Sequence, residues 1–349
     1  MNHPRIILIL GALALIHSSI CGQTPESAFG LEAGQFGRGI RQGNLEIHPQ
    51  LALQGKFDDN FYWTETDTES DWIGLIIPGI RLELPWDDNM LRLNYRAYLY
   101  YYHKHPEENH RDHRIDASLD YTLSDLSLKV DDLFRKTSSR YDTDYRQRIK
   151  RIENTALIQI SGDYNSLQAE GAYKNFYRNY RKKEYDIYDH MQHFGIFTGY
   201  CRIAPKTRAL LEYTYSRILY RDDKSRDGYF NEVRTGLTGE ITSKLLGIIK
   251  IGYQSRKYSR DLIWDDYSGI VGYVGLEHYF SSLTDLRFGW ERTLRESTFA
   301  NNSYYLINRG WFRISQQLIH KLRGNVRIEY ARHRYPAPMA DGKRRKDDI

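Results

Sequence analysis

Thr207-Arg-Ala-Leu-Leu-Glu-Tyr-Thr-Tyr-Ser216 decides the fold. Ala209, Leu211, Tyr213 and Tyr215 fall on one side of an extended chain and Arg208, Glu212 and Thr214 on the other, because successive side chains of a strand point to opposite faces. A segment with one apolar side and one charged side suits a wall between lipid and water. The division recurs with Leu91, Leu93, Tyr95, Ala97 and Leu99 against Arg92, Asn94 and Arg96, and with Ile115, Ala117, Leu119 and Tyr121 against Asp116, Ser118 and Asp120. It returns as Val233, Thr235 and Leu237 against Glu232, Arg234 and Thr238, as Leu286, Phe288 and Trp290 against Arg287 and Glu291, and as Val326, Ile328 and Tyr330 against Arg327 and Glu329.

The connections between these stretches alternate in length. From residue 45 they run long at Phe57–Ser70, short at Pro85–Asn89, long at His103–Arg111 and short at Leu123–Asp125, and so on without a break to the long His333–Arg345. Outer-membrane barrels have brief periplasmic turns and extended outside loops, whereas a soluble sandwich has no reason to keep such an order. The expected location is therefore a bacterial outer membrane. Counting from Leu45 gives fifteen complete strands before the sequence stops in Gly-Lys-Arg-Arg-Lys-Asp-Asp-Ile349. Single-chain bacterial barrels have even strand numbers, and an open edge would leave backbone donors facing lipid. The expectation is an all-β, transmembrane antiparallel up-and-down β-barrel of sixteen or eighteen strands, with the last one or three missing from this sequence.

Bulk composition agrees with that class. Across 349 residues no Pro/Gly/Ser linker divides the chain, so one domain follows the N-terminal region. A hydrophobic content of 40 % and a mean hydropathy of −0.66 exclude a bundle of spanning helices. They leave a barrel open, since its strands show lipid only at every second residue. The 29 tyrosines suit aromatic girdles, where a ring sits in lipid and its hydroxyl among headgroups.

Residues 1–21 read as a secretory signal peptide: Arg5, the apolar run Ile6–Ile16, then Ser18, Ser19 and Cys21. Ile20 stands where lipid-anchor processing needs a small residue, so cleavage near Cys21 or Gly22 is expected, with a lipoprotein as the alternative. Residues 22–43 read as an irregular periplasmic lead-in and 44–349 as the barrel. Cys201 would then be a lone thiol, and no disulfide framework is possible. Glycines at 171, 195, 199, 236, 239, 252, 272, 275 and 289 are expected to let the sheet bend. Pro49 and Pro78 each remove a ladder donor, which implies a bulge or an edge.

The opening Gly43-Asn-Leu-Glu-Ile-His-Pro49, followed by Lys56-Phe-Asp-Asp-Asn60, Ser70-Asp71, Ile77-Pro-Gly-Ile80 and Leu91-Arg-Leu-Asn-Tyr95, resembles that of the putative β-barrel porin 2 family. So does the run of Tyr-rich hairpins to Tyr330, the likeness covering roughly residues 40–349. The resemblance implies an outer-membrane pore, often encoded beside exopolysaccharide or capsule biosynthesis genes. The sequence departs from the family in lacking closing strands with a terminal aromatic residue.

Searching for chemistry turns up little. There is no Gly-x-Ser-x-Gly elbow, phosphate loop or His-Glu-x-x-His helix, so neither catalysis nor a cofactor is expected. His103, His105, His110 and His113 gather with Glu107, Glu108 and Asp112, but a metal site also needs convergent geometry, and a solvated polar loop is the expected reading. Asp58, Asp59 and Asn60 read as turn formers, with calcium as the alternative. The lumen-facing candidates are Arg92, Asn94, Arg96, Asp116, Asp120, Arg208, Glu212, Glu232, Arg234, Arg287, Glu291, Arg327 and Glu329. Arg92 with Asp116, Arg234 with Glu232 and Arg287 with Glu291 are the expected ion pairs, as a selectivity ring or as a salt-bridged plug, of mixed sign and so without strong ion preference. Tyr98, Tyr100 and Tyr273 are inward candidates for sugar-ring contact or for packing.

A net charge of +5 spread over interspersed residues argues against nucleic acid. The basic runs Arg178–Lys183 and Lys343–Lys346 fall in outside loops, as solvated segments or as contacts to lipopolysaccharide or an acidic polymer. Expected partners are outer-membrane lipid and lipopolysaccharide, the barrel-assembly machinery, and a polysaccharide.

Overall fold

The computed structural model describes residues 9–10, 39–62, 67–138, 148–259, 266–297, 302–319, 322–338 and 344–348. The signal-peptide reading of residues 1–21, apart from Ile9–Leu10, lies outside the described residues, as do most of the lead-in and Lys343. No described helix is long and apolar enough to cross a membrane.

Strand follows strand along the chain. The first eight are β1 (Leu45–Asp58), β2 (Asp71–Trp86), β3 (Asn89–Tyr102), β4 (His110–Leu123), β5 (Leu126–Thr137), β6 (Arg151–Tyr164), β7 (Leu167–Tyr180) and β8 (His190–Ala204). The rest are β9 (Thr207–Tyr220), β10 (Gly228–Thr242), β11 (Leu245–Tyr258), β12 (Tyr267–Ser281), β13 (Thr284–Glu296), β14 (Tyr304–Ile319), β15 (Leu322–Pro338) and the short β16 (Arg344–Asp348). Each pairs antiparallel with the next, in one up-and-down sheet. Among the described residues no ladder joins β16 to β1, whose outer edge carries only the short pairs with Ile9–Leu10 and Ile40–Gln42.

The expected alternation of connections is present, and every short one among the described residues is a two-residue turn. Asp87, Ser124 and Asn165 open three of these turns with left-handed φ of 47°, 53° and 53°, the backbone hand that matches the twist of a tight hairpin. At four other short turns the register slips by one residue, beside Arg202, Glu240, Tyr279 and Gln317. Gly239, at φ +137°, precedes one such bulge, and a Cβ there would stand 2.0 Å from the Lys206 carbonyl oxygen. Pro49 lies on β1 at the sheet edge. Pro78 interrupts the β2–β3 ladder between Ile76↔Leu99 and Gly79↔Arg96 without shifting its register, so a gap takes the place of a bulge.

The two faces of the sheet differ as the sequence pattern requires. On β9, Leu211, Tyr213 and Tyr215 are exposed while Thr214, Ser216 and Ile218 are buried. On the polar face, side chains reach past an intervening strand: Lys250 on β11 meets Glu212 on β9 at 2.6 Å, and Arg208 on β9 bonds Gln168 on β7. Side chains that converge in this way stand on a concave surface. The polar face is the inside, and the apolar face is turned to lipid.

One region breaks the pattern. The β12–β13 ladder stops at Gly272↔Arg292, although β12 continues back to Tyr267 and β13 on to Glu296. Arg292 donates to the Ile270 carbonyl where the strands part. Above that point Leu294, Tyr304 and Leu306, which by alternation belong to the lipid side of β13 and β14, pack on Tyr258 and Val271 of the inner face of β11 and β12. The upper ends of β13 and β14 therefore fold into the interior as a flap.

Candidate functional site

The polar interior is a lattice of bonded charges whose partners lie either two residues along the same strand or on a nearby strand. Arg92 stands opposite Ser118, one step from Asp120, and bonds that carboxylate at 2.7 Å with Glu83 at 3.7 Å. The expected Arg92–Asp116 pair does not form. Asp116 is held instead by Arg114 at 2.6 Å and Arg96 at 3.3 Å, with Asn94 directly opposite it. Arg234 and Glu232 do pair, at 2.7 Å, and Gln254 donates to the same glutamate at 2.8 Å. Arg287 and Glu291 do not pair, since residues four apart on a strand are roughly 13 Å apart. Arg287 faces Glu277 across the ladder and bonds it at 2.9 Å, while Glu291 faces Arg309 and bonds it at 2.8 Å. Arg327 and Glu329 pair at 2.6 Å, and Arg309 approaches Glu329 at 3.6 Å. The structure thus brings every charged candidate, Arg208 and Glu212 included, into a bond with another polar side chain.

Aromatic rings sit among these charges. Tyr100 stacks on His110 at 4.4 Å, and Tyr273 faces Lys250 on one neighbouring strand and Glu291 on the other. Trp311 lies flat over Gly289, where a Cβ would come within 2.3 Å of the indole, and the Arg327 guanidinium covers its ring at 4.8 Å. Only glycine leaves that shelf free.

The long-loop end forms a denser mouth, which sequence reading missed. Glu153 on β6 is 1 % exposed and takes three guanidiniums: Arg151 at 2.9 Å, Arg178 at 2.9 Å and Arg135 at 2.7 Å. Arg135 and Arg178 stand directly opposite it on the two neighbouring strands, and Arg151 is two residues away on its own face. Across the interior, Arg256 on β11 bonds Glu296 of the flap, Tyr258 stacks on Tyr304 with parallel rings 6.3 Å apart, and Arg226 donates to the Ser297 carbonyl at 3.0 Å. These contacts lock the flap onto the wall.

A repeated clasp closes the hairpins themselves. The backbone N–H of a tyrosine at the end of the rising strand donates to an Asp or Asn just before the next strand: Tyr102 to Asn109 at 2.7 Å, Tyr180 to Asp189 at 2.6 Å, Tyr220 to Asp227 at 2.6 Å and Tyr258 to Asp266 at 3.1 Å. In three of them the Asp or Asn N–H closes a 3₁₀ turn onto the residue three before it. A tyrosine followed seven to nine residues on by Asp or Asn was the legible signal.

The histidine group does not converge on one point. His105 bonds Asp71 at 2.8 Å and Glu69 at 3.0 Å and stacks on Phe61 at 4.4 Å, whereas His113 lies on the lipid side beside the Tyr95 hydroxyl. Burial alone would lower the His105 pKa. Its hydrogen bonds to the two carboxylates, and their charge, outweigh this and raise it. Asp58 accepts the Asn60 N–H at 3.3 Å, a turn bond. A metal-spaced trio lies elsewhere, Glu46, His48 and Glu83 near the short-turn end, with Arg81 already on Glu83. Cys201 is an exposed free thiol.

The sequence pattern of one family, described as putative beta-barrel porin 2, matches residues 37–181 and 200–348. No curated protein matches the chain significantly. Among solved structures, the chain is similar to the FrpB iron transporter of Neisseria meningitidis, with 9 % identity, a TM-score of 0.44, and coverage of 87 % of this chain and 57 % of that one. The siderophore receptor PirA of Pseudomonas aeruginosa is 10 % identical, with a TM-score of 0.41 over 85 % of this chain and 57 % of that one. OccAB3 of Acinetobacter baumannii is 13 % identical, with a TM-score of 0.40 over 88 % of this chain and 98 % of that one. The chain therefore spans little more than half the length of the first two.

Proposed function

The chain belongs to the putative beta-barrel porin 2 family, an outer-membrane β-barrel with a porin-like fold, and from that premise we propose that it is a passive conduit for the export of exopolysaccharide or capsular polysaccharide. The observation that carries this reading is the interior lattice of mixed-sign charges, in which every charged lumen candidate bonds a polar neighbour, with the Trp311 shelf and Tyr273 among them. Paired charges of mixed sign give no strong field for an ion of either sign. They leave carboxylates, guanidiniums and amides to hydrogen-bond hydroxyls, and aromatic faces to meet the C–H side of a sugar ring. No covalent chemistry is needed.

Deleting the gene in its host tests the proposal. Loss of surface polymer with accumulation in the periplasm supports export, and unchanged surface polymer overturns it. A strain that exports normally but takes up small solutes more slowly would instead mark a diffusion porin.

A second reading, a plugged barrel that binds surface polymer through its loops, is favoured by the flap locked through Arg256 and Glu296. Planar-bilayer recordings separate the two. A conduit passes current when the flap is released by Glu296→Gln, and a structural plug passes none.

A further inference from the structure

The lipid-facing side carries cations that no carboxylate neutralises. His113 on β4 bonds the Tyr95 hydroxyl through Nδ1 at 2.9 Å, and directly opposite it on β5 stands Lys136. The same constellation recurs further round the wall. His193 on β8 bonds the Tyr173 hydroxyl through Nδ1 at 2.7 Å, and directly opposite it on β9 stands Arg217. The rings of the two Tyr–His pairs are stacked alike, 6.2 Å and 6.1 Å apart. From Arg217 the register continues to Tyr229 on β10 and Lys257 on β11, a lateral row across four neighbouring strands.

Lys136, Arg217 and Lys257 are exposed, and none has a carboxylate partner among the described residues. All three lie near the long-loop ends of their strands, the row of Arg217 and Lys257 just beyond the exposed rings of Tyr213, Tyr215 and Tyr253. A cation on the lipid side of a barrel is costly at mid-bilayer and tolerated only near the headgroups. There a guanidinium or ammonium beside a hydroxyl-bonded imidazole matches a phosphate oxygen by charge and by hydrogen bonding.

We propose that these two constellations bind the phosphate groups of lipopolysaccharide in the outer leaflet, one lipid molecule at each His–cation pair. The Tyr–His bond fixes the imidazole, the neighbouring cation supplies the charge, and Lys257 extends the second site to a further phosphate.

The test titrates the full chain, refolded in neutral detergent, with bisphosphorylated lipid A and with its dephosphorylated counterpart, following stoichiometry by native mass spectrometry. Two phosphorylated lipids should bind and the dephosphorylated form should bind more weakly. Arg217→Gln and Lys257→Gln should each weaken the second site roughly fivefold, the effect of one basic residue near an anionic surface. Lys136→Gln should weaken only the first site, by a similar factor. Arg217→Lys, which keeps charge and fold, should retain most of the binding and so separates lost recognition from misfolding. Equal affinity for the dephosphorylated lipid, or loss only when Arg181, Lys182 and Lys183 of the loop are neutralised, would overturn the proposal.

Discussion

The two ends of this barrel are built on different principles. At the short-turn end, strands join through two-residue turns, and the ion pair between Lys206 and Glu240 stands in water. At the long-loop end, Glu153 is sealed among three arginines, tyrosine clasps close the hairpins, and the flap of β13 and β14 turns inward onto Arg256. The difference teaches where selection has placed its polar chemistry. Periodicity alone suffices to build the wall and its turns, whereas the mouth depends on specific partners held out of water, where each lost bond leaves a group unsatisfied.

If that contrast is sound, Glu153→Ala should have the largest effect on stability. It strands three guanidiniums in a buried site, and breaking a buried pair costs about 3–5 kcal/mol. Urea unfolding of the refolded protein in vesicles measures it, and a loss under about 1 kcal/mol would erase the distinction between the ends. Next in size, Glu296→Gln should loosen the flap, seen as faster proteolysis of the segment after Glu296 and as current in bilayers. Should the variant leave both unchanged, the flap is held by its apolar packing and Arg256 is incidental. Asp227→Ala removes the acceptor of the Tyr220 N–H and should cost about 1–3 kcal/mol, the desolvation cost of a buried donor left unmade. Hydrogen exchange at Tyr220 reads it directly.

A pH series sharpens the same comparison. The pKa of His105 is raised in the folded protein, so its bonds to Asp71 and Glu69 contribute fully below the unfolded value of about 6.5. They are lost as pH rises through the higher folded value. Protection factors around Phe61 and His105, corrected for the intrinsic pH dependence of exchange, should therefore fall above neutrality while those of the short turns stay unchanged, and His105→Gln should abolish the trend. Smallest of all, Lys206→Ala should change stability by no more than about 1 kcal/mol, as exposed pairs do.

The wall was legible in the sequence because alternation is local: Leu211 and Glu212 declare their sides by adjacency alone. The fifteen long strands and the alternation of short and long connections follow from it. Pairing within a strand was legible, as Arg234 with Glu232 shows, but pairing between strands was not, because register is a relation between two strands. Register sets Arg92 opposite Ser118, midway between Asp116 and Asp120, and with Asp116 held by Arg114 and Arg96 it is Asp120 that Arg92 bonds. The flap was hidden for a deeper reason. Leu294, Tyr304 and Leu306 keep the lipid-facing alternation and bury that side against the interior instead of lipid, and no local pattern distinguishes those two apolar surroundings. Glu153 could have been suspected, since Arg-x-Glu on one strand with arginines in both neighbours marks a carboxylate in need of company.

The central claim is that side chains alternate between acyl chains and an enclosed aqueous interior. Spin labels placed one at a time from 207 to 216, in a Cys201→Ser background in bilayers, test it most directly. Collision with oxygen should peak at 209, 211, 213 and 215, and collision with a water-soluble nickel chelate at 208, 212, 214 and 216. Uniform accessibility along the segment, or a period near 3.6, would contradict the account.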